Sequence, residues 1–168
     1  YEGATVLDAQ KGAYYTPITA LDFEALYPSI MMAHNLCYST FVMDERRYGN
    51  VPGITYETFK IGEKVYKFAQ GVPSLLPAIL LELKQFRKKA KRDMAAATGS
   101  MKEVYNGKQL AYKISMNSVY GFTGAGKGIL PCVPIASTTT CRGRGMIEET
   151  KNYVESNFPG AKVRYGDT

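Results

Sequence analysis

Apolar and polar positions change their rhythm twice along the chain, dividing it into three stretches. In the first, residues 1 to about 45, Ile18-Thr19-Ala20-Leu21-Asp22-Phe23 reads as a short buried strand, after which Pro28 of Tyr27-Pro28-Ser29 can open a helix towards Asn35. Asp22 is thereby expected at a strand end facing a helix start. From 46 to about 66, Gly, Pro, Asn and β-branched residues predict loops with short strands. Helical spacing takes over at Ser74: Leu76, Ile79, Leu80, Leu83, Phe86, Ala90 and Met94 recur on one face, with Pro77 in the first turn and Gly99 past the end. A second helix is predicted from Lys108 to Tyr120, and a turn at Asn106-Gly107 before it implies an antiparallel pair. After Gly128 the chain reads as extended from Ile129 to Ile135, mostly helical from Thr138 to Phe158, and strand-like over Ala161-Lys162-Val163-Arg164-Tyr165. This order suggests an α+β fold, a sheet whose strand ends carry acids, interrupted by a helical insertion.

The 168 residues could bury one core or form part of a larger domain, and they contain no repeat or low-complexity tract. A start without Met and a strand-like finish at Tyr165-Gly166-Asp167-Thr168 lead us to expect an excised internal segment. The net charge of +6 favours a polyanionic partner, although ordinary basic proteins share such an excess. Cys37, Cys132 and Cys141 are odd in number and widely spaced, which indicates neither a zinc cage nor a disulfide framework and fits reduced thiols in an intracellular protein. No apolar run approaches the ~20 residues of a membrane span, so no membrane is expected as a partner.

Asp22 and Asp167 both follow strand-like patterns, and acids held near a core call for neutralising cations, which points to a metal site. An aspartate after a strand can equally be a cap or turn residue. Residues 84–92 carry six positive charges in nine positions, and Lys84, Arg87, Lys88 and Lys91 share one helical stripe suited to phosphates. A solvated helix face or a short targeting run would look the same. Lys113, Asn117 and Tyr120 stand at i, i+4 and i+7, offering a cation, an amide and an aromatic on one side; alternatively Tyr120 packs inward while Lys113 meets water. Gly121-Phe-Thr-Gly-Ala-Gly126-Lys127 satisfies G-x-x-x-x-G-K, but Gly128 replaces the hydroxyl residue, a helix precedes the loop and a proline-containing run follows it. A P-loop triphosphatase is therefore disfavoured, and the glycines read as a flexible exit from the helix. The single histidine, His34, has no nucleophile partner in its neighbourhood and reads as structural. Arg142 and Arg144 add charge to a predicted helix.

Asp22-Phe-Glu-Ala-Leu-Tyr-Pro-Ser-Ile30 resembles the first polymerase motif of family B DNA polymerases, D-x-x-S-L-Y-P-S-I. Lys113-Ile-Ser-Met-Asn-Ser-Val-Tyr-Gly121 is similar to the second, K-x-x-x-N-S-x-Y-G, and Tyr165-Gly-Asp-Thr168 to the start of the third, Y-G-D-T-D-S. The likeness extends through Tyr1-Glu-Gly-Ala-Thr-Val6, Ile30-Met-Met-Ala-His-Asn-Leu-Cys37 and Gly121-Phe-Thr-Gly124, which look like the replicative delta-type branch, while Val6-Leu-Asp-Ala9 looks more like relatives in large DNA viruses of algae.

The resemblance implies a partial palm over 1–45 and 129–168, with a mixed sheet and helices, interrupted by a helical fingers insertion over 46–128 whose two helices cover about 74–98 and 108–121. It implies template-directed addition of deoxynucleotides to a primer 3′-hydroxyl, with two magnesium ions as cofactors. Asp22, the Phe23 backbone and Asp167 would hold metal; the second acid of the third motif would be residue 169, so the segment by itself is expected to be inactive. Glu24, Ala25, Leu26, Tyr27, Arg87, Lys91, Lys113 and Asn117 would bind nucleotide, with Tyr27 excluding a ribose 2′-hydroxyl, and Tyr120, Gly121, Arg144 and Thr168 would face template or primer. Ala25 departs from the usual Ser, which leaves only backbone contacts there. The implied partners are primer–template DNA, deoxynucleoside triphosphates and a sliding clamp reached through other regions, with the host nucleus or a viral replication site as the setting. A polymerase-like DNA-binding module without chemistry is the alternative.

Overall fold

The computed structural model describes residue 3 and residues 5–168; Tyr1, Glu2 and Ala4, which carry part of the resemblance, lie outside the described residues. The elements run β1 (Val6–Leu7), α1 (Leu26–Ala33), α2 (Glu45–Tyr48), β2 (Thr55–Ile61), β3 (Lys64–Gln70), α3 (Leu75–Ala96), α4 (Ser100–Gly124), α5 (Val133–Asn157) and β4 (Gly166–Asp167). The architecture is α+β: helices with two small antiparallel sheets, β1 with β4 and β2 with β3.

Helix α3 and helix α4 form the antiparallel pair expected from the apolar spacing. Gly99, with φ +59°, makes the sharp reversal between them. The Asn106-Gly107 turn does not form, because both residues lie inside α4, where packing along α3 overrides their low helix propensity. The Phe86 and Tyr112 rings, 5.7 Å apart, join the pair. Helix α4 runs on through Gly121 to Gly124, so the glycine-rich exit begins later than expected. The extended reading of 129–135 fails at its end: Pro134 stands in the first turn of α5, where its missing N–H costs no helical bond.

Neither Ile18–Phe23 nor Ala161–Tyr165 becomes a strand. A strand needs a neighbouring backbone to pair with, and among the described residues none lies alongside 18–23, where Ile18 and Leu21 are 62% and 74% exposed. The sheet joining the two ends of the chain is confined to Val6 opposite Asp167 and Leu7 opposite Gly166, flanked by bonds from the Gln10 N–H to the Arg164 carbonyl at 2.9 Å and from the Thr168 N–H to the Thr5 carbonyl at 3.2 Å.

The middle of the chain holds a regular hairpin. Strands β2 and β3 pair from Thr55 opposite Gln70 to Ile61 opposite Lys64, and Gly62 at φ +60° opens the two-residue turn. Segment 40–42 adds to the β3 edge through Ala69 N–H to Thr40 O at 2.8 Å and Val42 N–H to Lys67 O at 2.9 Å. The core gathers Ile30 and Met31 of α1, Leu36, Phe68 of β3, Leu80 of α3, Met116 of α4 and Ile135 of α5, so α1 is the hub on which the helical pair and α5 close.

Candidate active site

The segment leading into α1 shapes the site. Ala25, the N-cap, sits at φ 49°, ψ 58°, left-handed geometry that costs a non-glycine residue free energy, and its side chain offers no cap to the helix. The first amide groups of a helix have no partner within it, so Leu26 and Tyr27 bring a partial positive field to their surroundings. The Ala25 carbonyl accepts the first helical bond, from Ser29 N–H at 2.9 Å, and the Ser29 hydroxyl donates to the Glu24 carbonyl.

A cavity of about 680 Å³ opens here. Asp22 through Tyr27 contribute one part of its lining, and Arg87 and Lys91 of α3 another. Helix α4 adds Lys113, Met116, Asn117 and Tyr120, and Asp167 and Thr168 at β4 complete it. Thus acids from near both ends of the chain meet cations from the inserted helical pair. Helical periodicity explains the α4 contribution, since 113, 116, 117 and 120 fall on one face.

Contacts behind the lining position its members. The Arg87 Nε donates to the Gln109 Oε1 at 3.4 Å, and the Gln109 Nε2 donates to the Asn106 Oδ1 at 3.1 Å, so α4 steers the α3 guanidinium. The Tyr27 and Tyr120 rings lie 4.5 Å apart at 52°, an aromatic pair joining α1 to α4. The Tyr27 hydroxyl is buried without a hydrogen-bond partner. Thr168 is tied to Thr5 by an N–H to carbonyl bond of 3.2 Å, and the Tyr165 hydroxyl donates to the Asp167 Oδ2 at 2.8 Å. That bond to a carboxylate holds the Tyr165 phenol above the usual tyrosine range.

Some expectations need correction. Asp22 and Asp167 are both exposed, so the argument from acids buried near a core does not apply, because water already solvates them. Gly121 and Arg144, expected to face template or primer rather than nucleotide, stand outside this cavity: Gly121 lies on an exposed part of α4, and the Arg144 Nη1 donates to the Gly3 carbonyl at 2.8 Å. Of the basic stripe, Arg87 and Lys91 reach the cavity whereas Lys84 and Lys88 do not. His34 contacts the Glu57 Oε2 at 2.8 Å and meets Phe59 edge-on, as its structural reading requires.

Sequence reasoning missed Met116, Gln109 and Gly143. Met116 shares the face of Lys113 and Tyr120, a signal that periodicity could have supplied. Gly143 of α5 lies against Tyr27 across a long sequence separation, and no local pattern announces such a contact.

The family profile described as DNA polymerase family B matches residues 1–168, and the chain belongs to that family. Within it, the chain is 50% identical over 178 residues to the DNA polymerase of Paramecium bursaria Chlorella virus NY2A, covering 100% of this chain and 19% of that protein. It is 48% identical over 185 residues to the DNA polymerase delta catalytic subunit of Candida albicans, covering 100% of this chain and 17% of the relative. The chain therefore spans less than a fifth of the length of these curated relatives. The family B DNA polymerase of the hyperthermophilic archaeon Pyrobaculum calidifontis shares the fold at a TM-score of 0.70 and 23% identity, over 85% of this chain and 18% of that one.

Proposed function

We propose that this chain forms the nucleotide-binding part, and one side of the catalytic centre, of a DNA-directed DNA polymerase, with residues 1–45 and 129–168 as palm and 46–128 as fingers. The observation that carries the reading is the single cavity in which Asp22 and Asp167 meet Arg87, Lys91 and Lys113. In the reaction a primer 3′-hydroxyl attacks the α-phosphate of a deoxynucleoside triphosphate and pyrophosphate leaves. At an effective dielectric near 20, one unit-charge contact at ~4 Å is worth about 4 kcal/mol, so a triphosphate calls for several cations together, which the three basic side chains and the first amides of α1 supply. Tyr27 stands beside the sugar and excludes a 2′-hydroxyl; Asn117 and Tyr120 border the base.

The donor set fits magnesium, a hard cation that prefers oxygen: Asp22, the Phe23 carbonyl and Asp167 would hold two ions. Among the described residues no cluster of three or more acids, histidines or cysteines forms, so the remaining donors would be phosphate, water and the acid that the family's third motif carries directly after Thr168. When bound, such ions stabilise the attacking and leaving oxygens. The likeness to the Chlorella virus DNA polymerase favours viral DNA replication as the role; the host nucleus or a viral replication site would be the setting, primer–template DNA the partner, and a sliding clamp would be engaged through other regions.

Template-directed primer extension by the complete protein tests the reading. Asp22→Asn should lower incorporation by about 10³-fold or more while primer–template binding persists. Retained incorporation by this variant would overturn the assignment, and a wild-type protein that binds DNA without extending it would identify a non-catalytic module.

A further inference from the structure

Gly143 lies in α5, is buried, and belongs to none of the elements that line the cavity. A Cβ placed on it would meet the Tyr27 Cε1 at 3.0 Å, the Thr168 Cγ2 at 3.6 Å and the Leu26 Cδ2 at 3.7 Å. The first distance is closer than ring and methyl carbons ordinarily approach, so the bare backbone of α5 is what allows the Tyr27 ring its present place. The ring also packs on Tyr120, and its hydroxyl has no hydrogen bond to hold it. Packing alone therefore sets its position, and on one edge that packing is the absence of a side chain at 143.

We propose that Gly143 is a positioning residue for sugar selection: it fixes how far the Tyr27 ring projects into the cavity, and hence how closely the ring meets the 2′ position of an incoming nucleotide. This rests on the reading of Tyr27 as the wall against a ribose hydroxyl. Tyr27 lines the cavity and α5 does not, so on this proposal a methyl group at 143, pressing on the Tyr27 Cε1 edge, shifts the ring by a few tenths of an ångström into the cavity. The device acts without touching substrate, through a side chain more than a hundred positions away in sequence.

The experiment compares kcat/KM for deoxynucleotides and ribonucleotides in the complete protein carrying Gly143→Ala, Tyr27→Ala or both. Gly143→Ala should raise discrimination against ribonucleotides by about tenfold, the effect of roughly one methyl group of steric fit in a close pocket, with kcat for deoxynucleotides kept. In the Tyr27→Ala background the same substitution should change nothing, since no ring remains to be displaced. Gly145→Ala, two residues along α5, where an added Cβ meets nothing within 4 Å, should leave discrimination at the wild-type value.

Unchanged or reduced discrimination in Gly143→Ala, or an effect that persists without the Tyr27 ring, would overturn the proposal. If Tyr27→Ala itself leaves discrimination intact, the wall assignment fails first and the proposal falls with it. Alanine is the better helix former, so α5 should tolerate it. Should Gly143→Ala nevertheless lose primer–template binding, removal of the ring in the double variant must restore that binding, and failure to do so also refutes the proposal.

Discussion

Single residues acquire their chemistry here from what stands beside them. Tyr27 is an ordinary helix-opening aromatic in sequence, yet the fold sets it against Tyr120 and Gly143 with a buried, unpartnered hydroxyl. A rigid ring is required of a sugar-selecting wall, because an accommodating apolar pocket rejects an added hydroxyl by only ~100-fold. Tyr27→Ala is accordingly expected to raise ribonucleotide incorporation by about 100-fold or more while largely preserving deoxynucleotide incorporation, as read by single-nucleotide primer extension with each substrate. Ala25 illustrates the opposite case. Its side chain caps nothing, but its left-handed backbone turns the chain from the Asp22 segment into α1, and no propensity argument would have placed an alanine there.

At the scale of elements, the helical pair brings charge to a site built by the ends of the chain. Apolar spacing made α3 legible almost to the residue, whereas α4 begins eight residues before the expected Lys108 because contact with α3 stabilises Asn106 and Gly107 in helical form. The stripe on α3 is divided by geometry: Arg87 and Lys91 face the cavity, and the Gln109 bond orients the guanidinium. If Arg87 contacts the triphosphate as proposed, Arg87→Ala should raise KM for the deoxynucleotide by about tenfold with a smaller change in kcat, because such a contact acts before and during reaction alike. Arg87→Lys should recover only part of the loss, because an ammonium cannot reproduce the planar fork. Steady-state kinetics on primer–template DNA separates the two parameters. An Arg87→Ala KM equal to that of the wild type would place the guanidinium outside the triphosphate site.

At the scale of the whole molecule, partly buried ionisable groups tie stability to alkaline pH. Burial raises the Cys132 thiol, more than its bond from the Ile135 amide lowers it, and burial likewise raises the Tyr38 phenol. Burial also acts to raise Cys37, but the Leu76 amide and the Ser39 hydroxyl, among other donors, outweigh it and hold that thiol below its ordinary range. For a group raised on folding, both states are protonated at low pH and the unfolded chain ionises first, so stability is lost as pH climbs past the ordinary thiol range, about 8.5. Cys37, lowered on folding, opposes this. Cys132→Ala should therefore flatten the fall in urea midpoint above the ordinary thiol range, about pH 8.5, and an unaltered profile would contradict the assignment. By itself the sequence determined the motifs, their order, the long helices and the family, because these depend on residue identity and on periodicities that each segment carries alone. Only the tertiary structure decided that 18–23 and 161–165 would not be strands, that Asp22 and Asp167 would share a cavity with Arg87, Lys91 and Lys113, and that Gly143 would lie against Tyr27. Those outcomes depend on which backbones come to lie side by side, and local chemistry cannot specify a neighbour that distant parts of the chain must supply.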